Sequence, residues 1–224
     1  MPDSPSSQGY VLSQQARDRG AFDALVATVA GCRCCPRMEG RTRVLGTANG
    51  PLTARVLFVA EAPGRFGADA VGVPLAGDRT GRAFEQLLAC MGLRRSDIFI
   101  TNAVLCNPRD AKGRNDRPSR SEIVNCNHHL ARLLTILDPM WVVTLGVVAL
   151  QAIAAVEPHT MCLRQDVGQP ISWFGRMLIP LYHPGPRALI HRPQHLQEGD
   201  YRRLAALISG APTGQARSIP EPQA

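Results

Sequence analysis

Lysine is nearly missing from this 224-residue chain: Lys112 stands alone, and the rest of the 25 Lys and Arg residues are arginines. No apolar run approaches the roughly 18–20 residues that a membrane-spanning helix requires. The opening residues 1–10 are polar and show no basic segment followed by an apolar one, the pattern of a signal peptide. Seven cysteines, odd in number and unevenly spaced, do not make a disulfide framework. These absences point to a cytoplasmic protein of bacterial type, associated with the nucleoid, with reduced thiols and no membrane partner. Wholesale disorder is also excluded, because 45% of the residues are hydrophobic.

What the chain does have is positive charge. The net charge is +7 and the isoelectric point about 9.4. Arginine offers a planar fork that matches phosphate, so nucleic acid is the leading partner class. Residues 1–9 and 210–224 are rich in Ser, Pro, Gly and Gln and read as tails flanking a single domain over 10–209. No internal repeat or oligomerisation surface is legible, and a monomer is expected.

Inside that domain, helix and strand signals alternate. Phe22, Leu25, Val26 and Val29 have helical spacing. Residues 55–60 (RVLFVA) form a strand that closes on a loop over 61–69. Residues 80–91 put Phe84, Leu87, Leu88 and Met91 on one helical face, with Cys90 near it and expected in the core. A second strand covers 98–101. Ser119-x-x-Glu122 resembles a capping box that opens a helix bearing Ile123, Leu130, Leu134 and Leu137 and stopped by Asp138-Pro139. Strands at 141–145 and 177–181 and helices at 147–156 and 196–208 complete the pattern. Such alternation predicts a three-layer α/β/α fold with a central four-stranded parallel sheet. Sites in such folds lie beyond the C-terminal strand ends. Three polar, turn-rich segments fall there: Glu61-Ala62-Pro63-Gly64, residues 102–106, and His183-Pro184-Gly185.

Four cysteines stand at related places. Cys32-x2-Cys35-Pro36 precedes the first strand, Cys106 follows the second, and Cys126 lies in the capped helix. Two ligands on a tight turn and two from distant segments suit either an iron–sulfur cluster or a structural zinc, and spacing does not separate them.

Five blocks in order give the chain a likeness to a known family: Cys32-x2-Cys35-Pro36; Val59-Ala60-Glu61-Ala62-Pro63-Gly64; Gly77-Asp78-Arg79-Thr80-Gly81; Thr101-Asn102-Ala103-Val104-x-Cys106 with Cys126 after Pro118-x3-Glu122; and Tyr182-His183-Pro184. Over roughly residues 30–208 the chain resembles the iron–sulfur branches, families 4 and 5, of the uracil-DNA glycosylase superfamily. The resemblance implies a [4Fe-4S] cluster held by Cys32, Cys35, Cys106 and Cys126. It also implies hydrolysis of the N-glycosidic bond of a deaminated base in DNA, the first step of base excision repair. Glu61 matches the family 4 form, whereas the spacing through Gly67 to Gly81 follows family 5. The aromatic residue that stacks on uracil in both families falls at Leu75, with Phe66 an alternative ring. A related branch traps DNA covalently through a histidine in a basic insertion; residues 112–117 are basic but hold no histidine, so ordinary turnover is expected.

The residues fit that chemistry. Cleaving the bond builds positive charge on the sugar and negative charge on the base, so a site needs an anion, a donor and a positioned water. His183 is the candidate donor. Glu61 is the first candidate for the carboxylate, ahead of Asp78, which also suits a helix cap, and Asp69. Asn102 offers an amide that pairs with uracil N3–H and O4 together. Ala62, Pro63 and Gly64 line the expected base pocket. Arg114, Arg187, His191 and Arg192 are candidate phosphate contacts, and Leu189 or Ile190 a wedge for the gap left by the extruded base. With no lysine placed to form a Schiff base, strand cleavage is not expected. The competing readings are a non-catalytic binder of damaged DNA, a glycosylase for hypoxanthine or xanthine, and an electron-transfer or zinc-ribbon protein.

Overall fold

The computed structural model describes residues 7–210. Most of both expected tails, residues 1–6 and 211–224, lies outside the described residues, and the first helix already begins at Ser7.

In chain order the main elements are α1 (Ser7–Ala30), β1 (Val56–Ala60), α2 (Ala68–Val71), α3 (Arg79–Cys90), β2 (Phe99–Asn102), α4 (Arg120–Leu137), β3 (Trp141–Leu145), α5 (Val147–Val156), α6 (Leu163–Asp166), β4 (Ile171–Trp173), β5 (Arg176–Leu181) and α7 (Gln194–Gly210). The sheet order is β2-β1-β3-β5-β4. Four strands run parallel, and β4 pairs antiparallel to β5 through Ile171–Leu178 and Trp173–Arg176. The sheet therefore has five strands, one more than the sequence pattern indicates. β4 has only three residues and joins β5 through a tight turn in which Phe174 (φ 45°) and Gly175 (φ 71°) both take left-handed conformations. The usual hairpin signal, Asn-Gly or Asp-Gly, is missing there.

Pleating divides the central strands between two cores. Leu57, Val59, Phe99, Val142 and Leu178 turn towards α1, α4 and α5. Val56, Phe58, Ile100, Val143 and Ile179 turn towards α3 and α7, where Phe84 and Tyr201 pack on Phe58. Cys90, expected in the core, is only half-buried, at the exposed margin of α3. The capping box at α4 is closed: Ser119 N–H donates to Glu122 Oε2 at 2.7 Å and Glu122 N–H to Ser119 Oγ at 3.2 Å. Among the described residues no helix is long and apolar enough to cross a membrane.

Parallel β1, β2, β3 and β5 all end at the same edge of the sheet. Their following segments converge there, which puts residues far apart in sequence around one opening.

Candidate active site

A cleft of about 700 Å³ opens at that edge. Each strand end delivers part of its wall. β1 runs into Glu61-Ala62-Pro63-Gly64, β3 into Gly146-Val147-Val148, and β5 into Tyr182-His183 and the turn beyond. Leu75, Asp78 and Thr80 close it from the α3 side, and Asn115, Asp116 and Arg117 from the opposite side.

The Glu61 carboxylate makes no hydrogen bond to any described residue, while its backbone carbonyl accepts the Val104 N–H at 3.1 Å. Burial raises its carboxyl above the ordinary range, while Arg117 and Arg187 pull it back down from the cleft walls. His183 is displaced the other way: burial lowers its imidazole from 6.5 to about 4, with Asp78 opposing. The ring is therefore neutral at pH 7. Its Nδ1 accepts the Gly185 backbone N–H at 3.0 Å, so the single ring proton sits on Nε2, which is left to donate. Gly185 has to be glycine for steric reasons, since a Cβ there would lie 2.8 Å from His183 Nδ1.

Asp78 also lines the cleft, but one of its oxygens is occupied and the other is crowded. Oδ1 caps α3 by accepting the Gly81 N–H at 2.9 Å. Oδ2 lies against Gly64 and Gly67, so closely that a Cβ on Gly67 would come within 2.5 Å. Leu75 lines the cleft in a left-handed backbone conformation (φ 47°). Arg95 pins that strained turn by donating to the carbonyls of Pro74, at 2.8 Å, and of Leu75.

Three expected site residues lie elsewhere. Asp69 is buried but faces away, accepting from Thr42 N–H at 3.0 Å and pairing with Arg109 at 2.5 Å. Phe66 is 72% exposed, with the Arg65 guanidinium 4.1 Å from its ring centroid, and is not in the cleft wall. Asn102 ends β2 in register with Ala60 and is buried; it does not line the open cleft, and its Nδ2 is enclosed without a partner.

The basic residues divide as well. Arg187 and His191 stand at the cleft rim, exposed. Arg192 is committed to Asp200 by two contacts, at 2.9 and 2.5 Å, and Arg114 to Asp110 at 2.7 Å. Leu189 lines a second groove beside the cleft, and Ile190 is 81% exposed.

The sequence reading missed the contribution of β3. Leu145 ends that strand and α5 starts at Val147, so the rule placing sites beyond strand ends applies equally to Gly146 and its neighbours. It also missed the hairpin over residues 107–117 as a clamp. Asn107 Nδ2 donates to the Pro63 carbonyl at 2.6 Å, and Asn115 Oδ1 accepts from Arg65 N–H at 2.9 Å, tying this hairpin to the loop after β1.

Behind the hairpin stand the cysteines. Cys32, Cys35, Cys106 and Cys126 are all free thiols. Burial pushes Cys106 up to about 11 and Cys126 up to about 12, and in both cases neighbouring thiols of the set push the same way. The set is thus one electrostatic neighbourhood. Two N–H groups already point at its sulfurs: Leu105 N–H donates to Cys126 Sγ at 3.4 Å and Asn125 Nδ2 to Cys35 Sγ at 3.7 Å. Among the described residues no three His, Cys, Asp or Glu side chains gather around a single ion position.

A carboxylate and a neutral imidazole thus face one cleft at the strand ends of a parallel sheet. The family model for the uracil DNA glycosylase superfamily matches residues 47–200, and the chain belongs to that superfamily. Its relatives include a type-4 uracil-DNA glycosylase of Thermotoga maritima, 35% identical over 70% of this chain and 77% of that protein. Another, from Archaeoglobus fulgidus, is 32% identical over 84% of this chain and 93% of that protein. A type-5 uracil-DNA glycosylase of Pyrobaculum aerophilum is 26% identical over 78% of this chain and 87% of its own length.

Proposed function

We propose that the protein is a monofunctional uracil-DNA glycosylase that leaves an abasic site in DNA. The observation that carries this is the opposed pair on one cleft: Glu61, unpartnered, and His183, neutral with its Nε2–H free.

In this reading the extruded nucleotide enters the cleft beside Leu75 and Ala62. As the C1′–N1 bond breaks, its electron pair leaves with the base. His183 Nε2–H donates to the base oxygen that gains the charge, without transferring its proton. Glu61 faces the cationic sugar and orients the water whose oxygen bonds C1′ and whose proton passes to the carboxylate. Asn102 is buried behind the cleft wall and reads the base once that wall gives way to the entering nucleotide: its unpartnered Nδ2 then donates to O4 and its Oδ1 accepts N3–H, a pattern cytosine inverts at position 4. An enclosed donor without a partner is the feature a ligand would satisfy. Asp78 serves as the cap of α3 and as a neighbouring charge to His183. Lys112, the single lysine, lies exposed on the hairpin, away from the cleft wall, so no lysine amine is placed for Schiff-base chemistry.

The four thiols with their N–H donors fit a [4Fe-4S] cluster. Cys32, Cys35, Cys106 and Cys126 would hold it. A single zinc ion would need them closed round one point. When bound, such a cluster supplies a cross-link between the α1–β1 segment, the end of β2 and α4, and no electron is needed by the hydrolysis.

The test is base release from labelled duplexes carrying uracil, hypoxanthine or xanthine. Uracil release with an intact strand is the expected result. Binding without release of any base would reject the enzyme and leave a damage-binding protein. Release of the purines alone would assign the site to a larger base, which an aliphatic Leu75 in place of a ring leaves room for.

A further inference from the structure

A second groove, of about 320 Å³, adjoins the cleft. The turn after His183 separates them: Pro186 lines both, and Leu189 and Pro184 face the second groove. Its floor is α3, through Arg79, Arg82 and Gln86, and its far wall is α7, through Gln194 and Glu198.

The side chains of Arg79 and Arg82 make no hydrogen bond or ion pair with any described residue. Both sit in the first turn or so of α3, where the helix dipole is positive and favours anions. The first turn itself holds no acidic residue, although the Asp78 carboxylate caps it through the Gly81 N–H. Both side chains are exposed, and among the described residues no carboxylate pairs with either. Arg37, Arg94, Arg95, Arg109, Arg114, Arg176, Arg192 and Arg202 have acidic partners, and what sets Arg79 and Arg82 apart from the other arginines is that they line this groove beside the cleft. The one carboxylate in the groove, Glu198, is engaged by Arg202 at 3.2 Å and by Gln194 at 3.1 Å. The unpaired Arg187 stands on the dividing turn and lines the cleft side of it.

We infer that this groove is a phosphodiester-binding track, in which Arg79 and Arg82 take the backbone of the DNA strand as it leaves the cleft across Pro186. The inference rests on the glycosylase reading for its polymer. It adds a contact surface on α3 that the basic turn after β5 does not include. Continuity matters here. A nucleotide with its base in the cleft has its flanking phosphates at the rim, and the groove begins where that rim ends. Arg187 covers the border and the α3 pair extends the track.

The test is the salt dependence of binding to an undamaged duplex, where base release plays no part. Each phosphate contact steepens the plot of log K against log salt by roughly 0.9 on duplex DNA. The double variant Arg79→Gln with Arg82→Gln should therefore be shallower than the wild type by about 1.8, and about fivefold to tenfold weaker per arginine at 0.1 M salt. On a uracil duplex the loss should appear in KM. Removing two cations from a helix N-terminus should not unfold the protein, and a thermal melt checks this. Arg94→Gln, 84% exposed before β2 at the opposite edge of the sheet, is the control and should keep the wild-type slope. A double variant with an unchanged slope, in a wild type that binds steeply, overturns the track while leaving the glycosylase reading intact. A wild type that binds no DNA overturns both.

Discussion

Glu61 and His183 are moved in opposite directions by the same burial, and the pH behaviour follows from the signs. The histidine's folded value, about 4, lies below its ordinary 6.5. Between those values the unfolded chain takes up a proton that the folded chain refuses, so stability falls as pH drops through that window. Activity should nonetheless show no histidine step near 6.5, since the neutral ring persists in the fold. For Glu61 the folded value is raised, so ionising it at neutral pH costs stability. Glu61→Gln should therefore raise Tm at pH 7. The same variant should lower base release about 100-fold or more and remove the acid limb of the rate profile. His183→Ala should cost on the order of 100- to 1000-fold in turnover with the fold retained. Melts and rate profiles between pH 4 and 9 check all of these. The placement of Glu61 and His183 at the cleft was legible because each lies within two residues of the end of an apolar strand. The pairing that turns Asp69 away from the cleft was not legible, because its partner, Arg109, is 40 residues away and only the fold brings them together.

At the level of elements, the hairpin over residues 107–117 depends on one side chain from the cysteine segment. Arg37 donates to Glu122 at 2.9 and 2.6 Å, to Asp116 at 2.5 Å and to the Arg117 carbonyl at 3.2 Å. It thereby joins the Cys32–Cys35 turn to the start of α4 and to the cleft wall. Glu122 also closes the capping box, so Glu122→Ala removes a cap and leaves a half-buried guanidinium short of its partner. A loss of about 2–3 kcal/mol is expected, near 1 from the cap and the rest from the charged hydrogen bonds, with the midpoint of chemical denaturation as the measure. The helix itself was readable, since Ser119 and Glu122 are three residues apart. The strut was not, because nothing local marks Arg37 as reaching residue 122. β4 escaped notice for a different reason: three residues are too few to show a period, and its turn relies on a strained Phe174.

For the molecule as a whole, the cysteines and the charge set the expectations. Anaerobically purified protein should be brown, with broad absorption near 400 nm and iron at about four per chain. Loss of the cluster should lower Tm and loosen residues 107–117 in hydrogen exchange, because α4 and the α1–β1 segment would lose their shared anchor. A colourless protein holding only zinc would overturn the cofactor assignment. The layered architecture was visible in the alternation of strand and helix signals. The extent of the cleft was not, since its walls come from segments as distant as Glu61 and His191.

The two margins of the sheet have a consequence for how the chain behaves in company. At one margin β4 offers only three residues. At the other, the Ile100 carbonyl of β2 already accepts from buried Asn49 Nδ2 at 2.7 Å, and Gly50 packs so tightly on Ile98 that no side chain would fit. Neither border presents a long row of vacant amides to template a foreign strand. The folded sheet thus gives little purchase for strand-on-strand association through its edges.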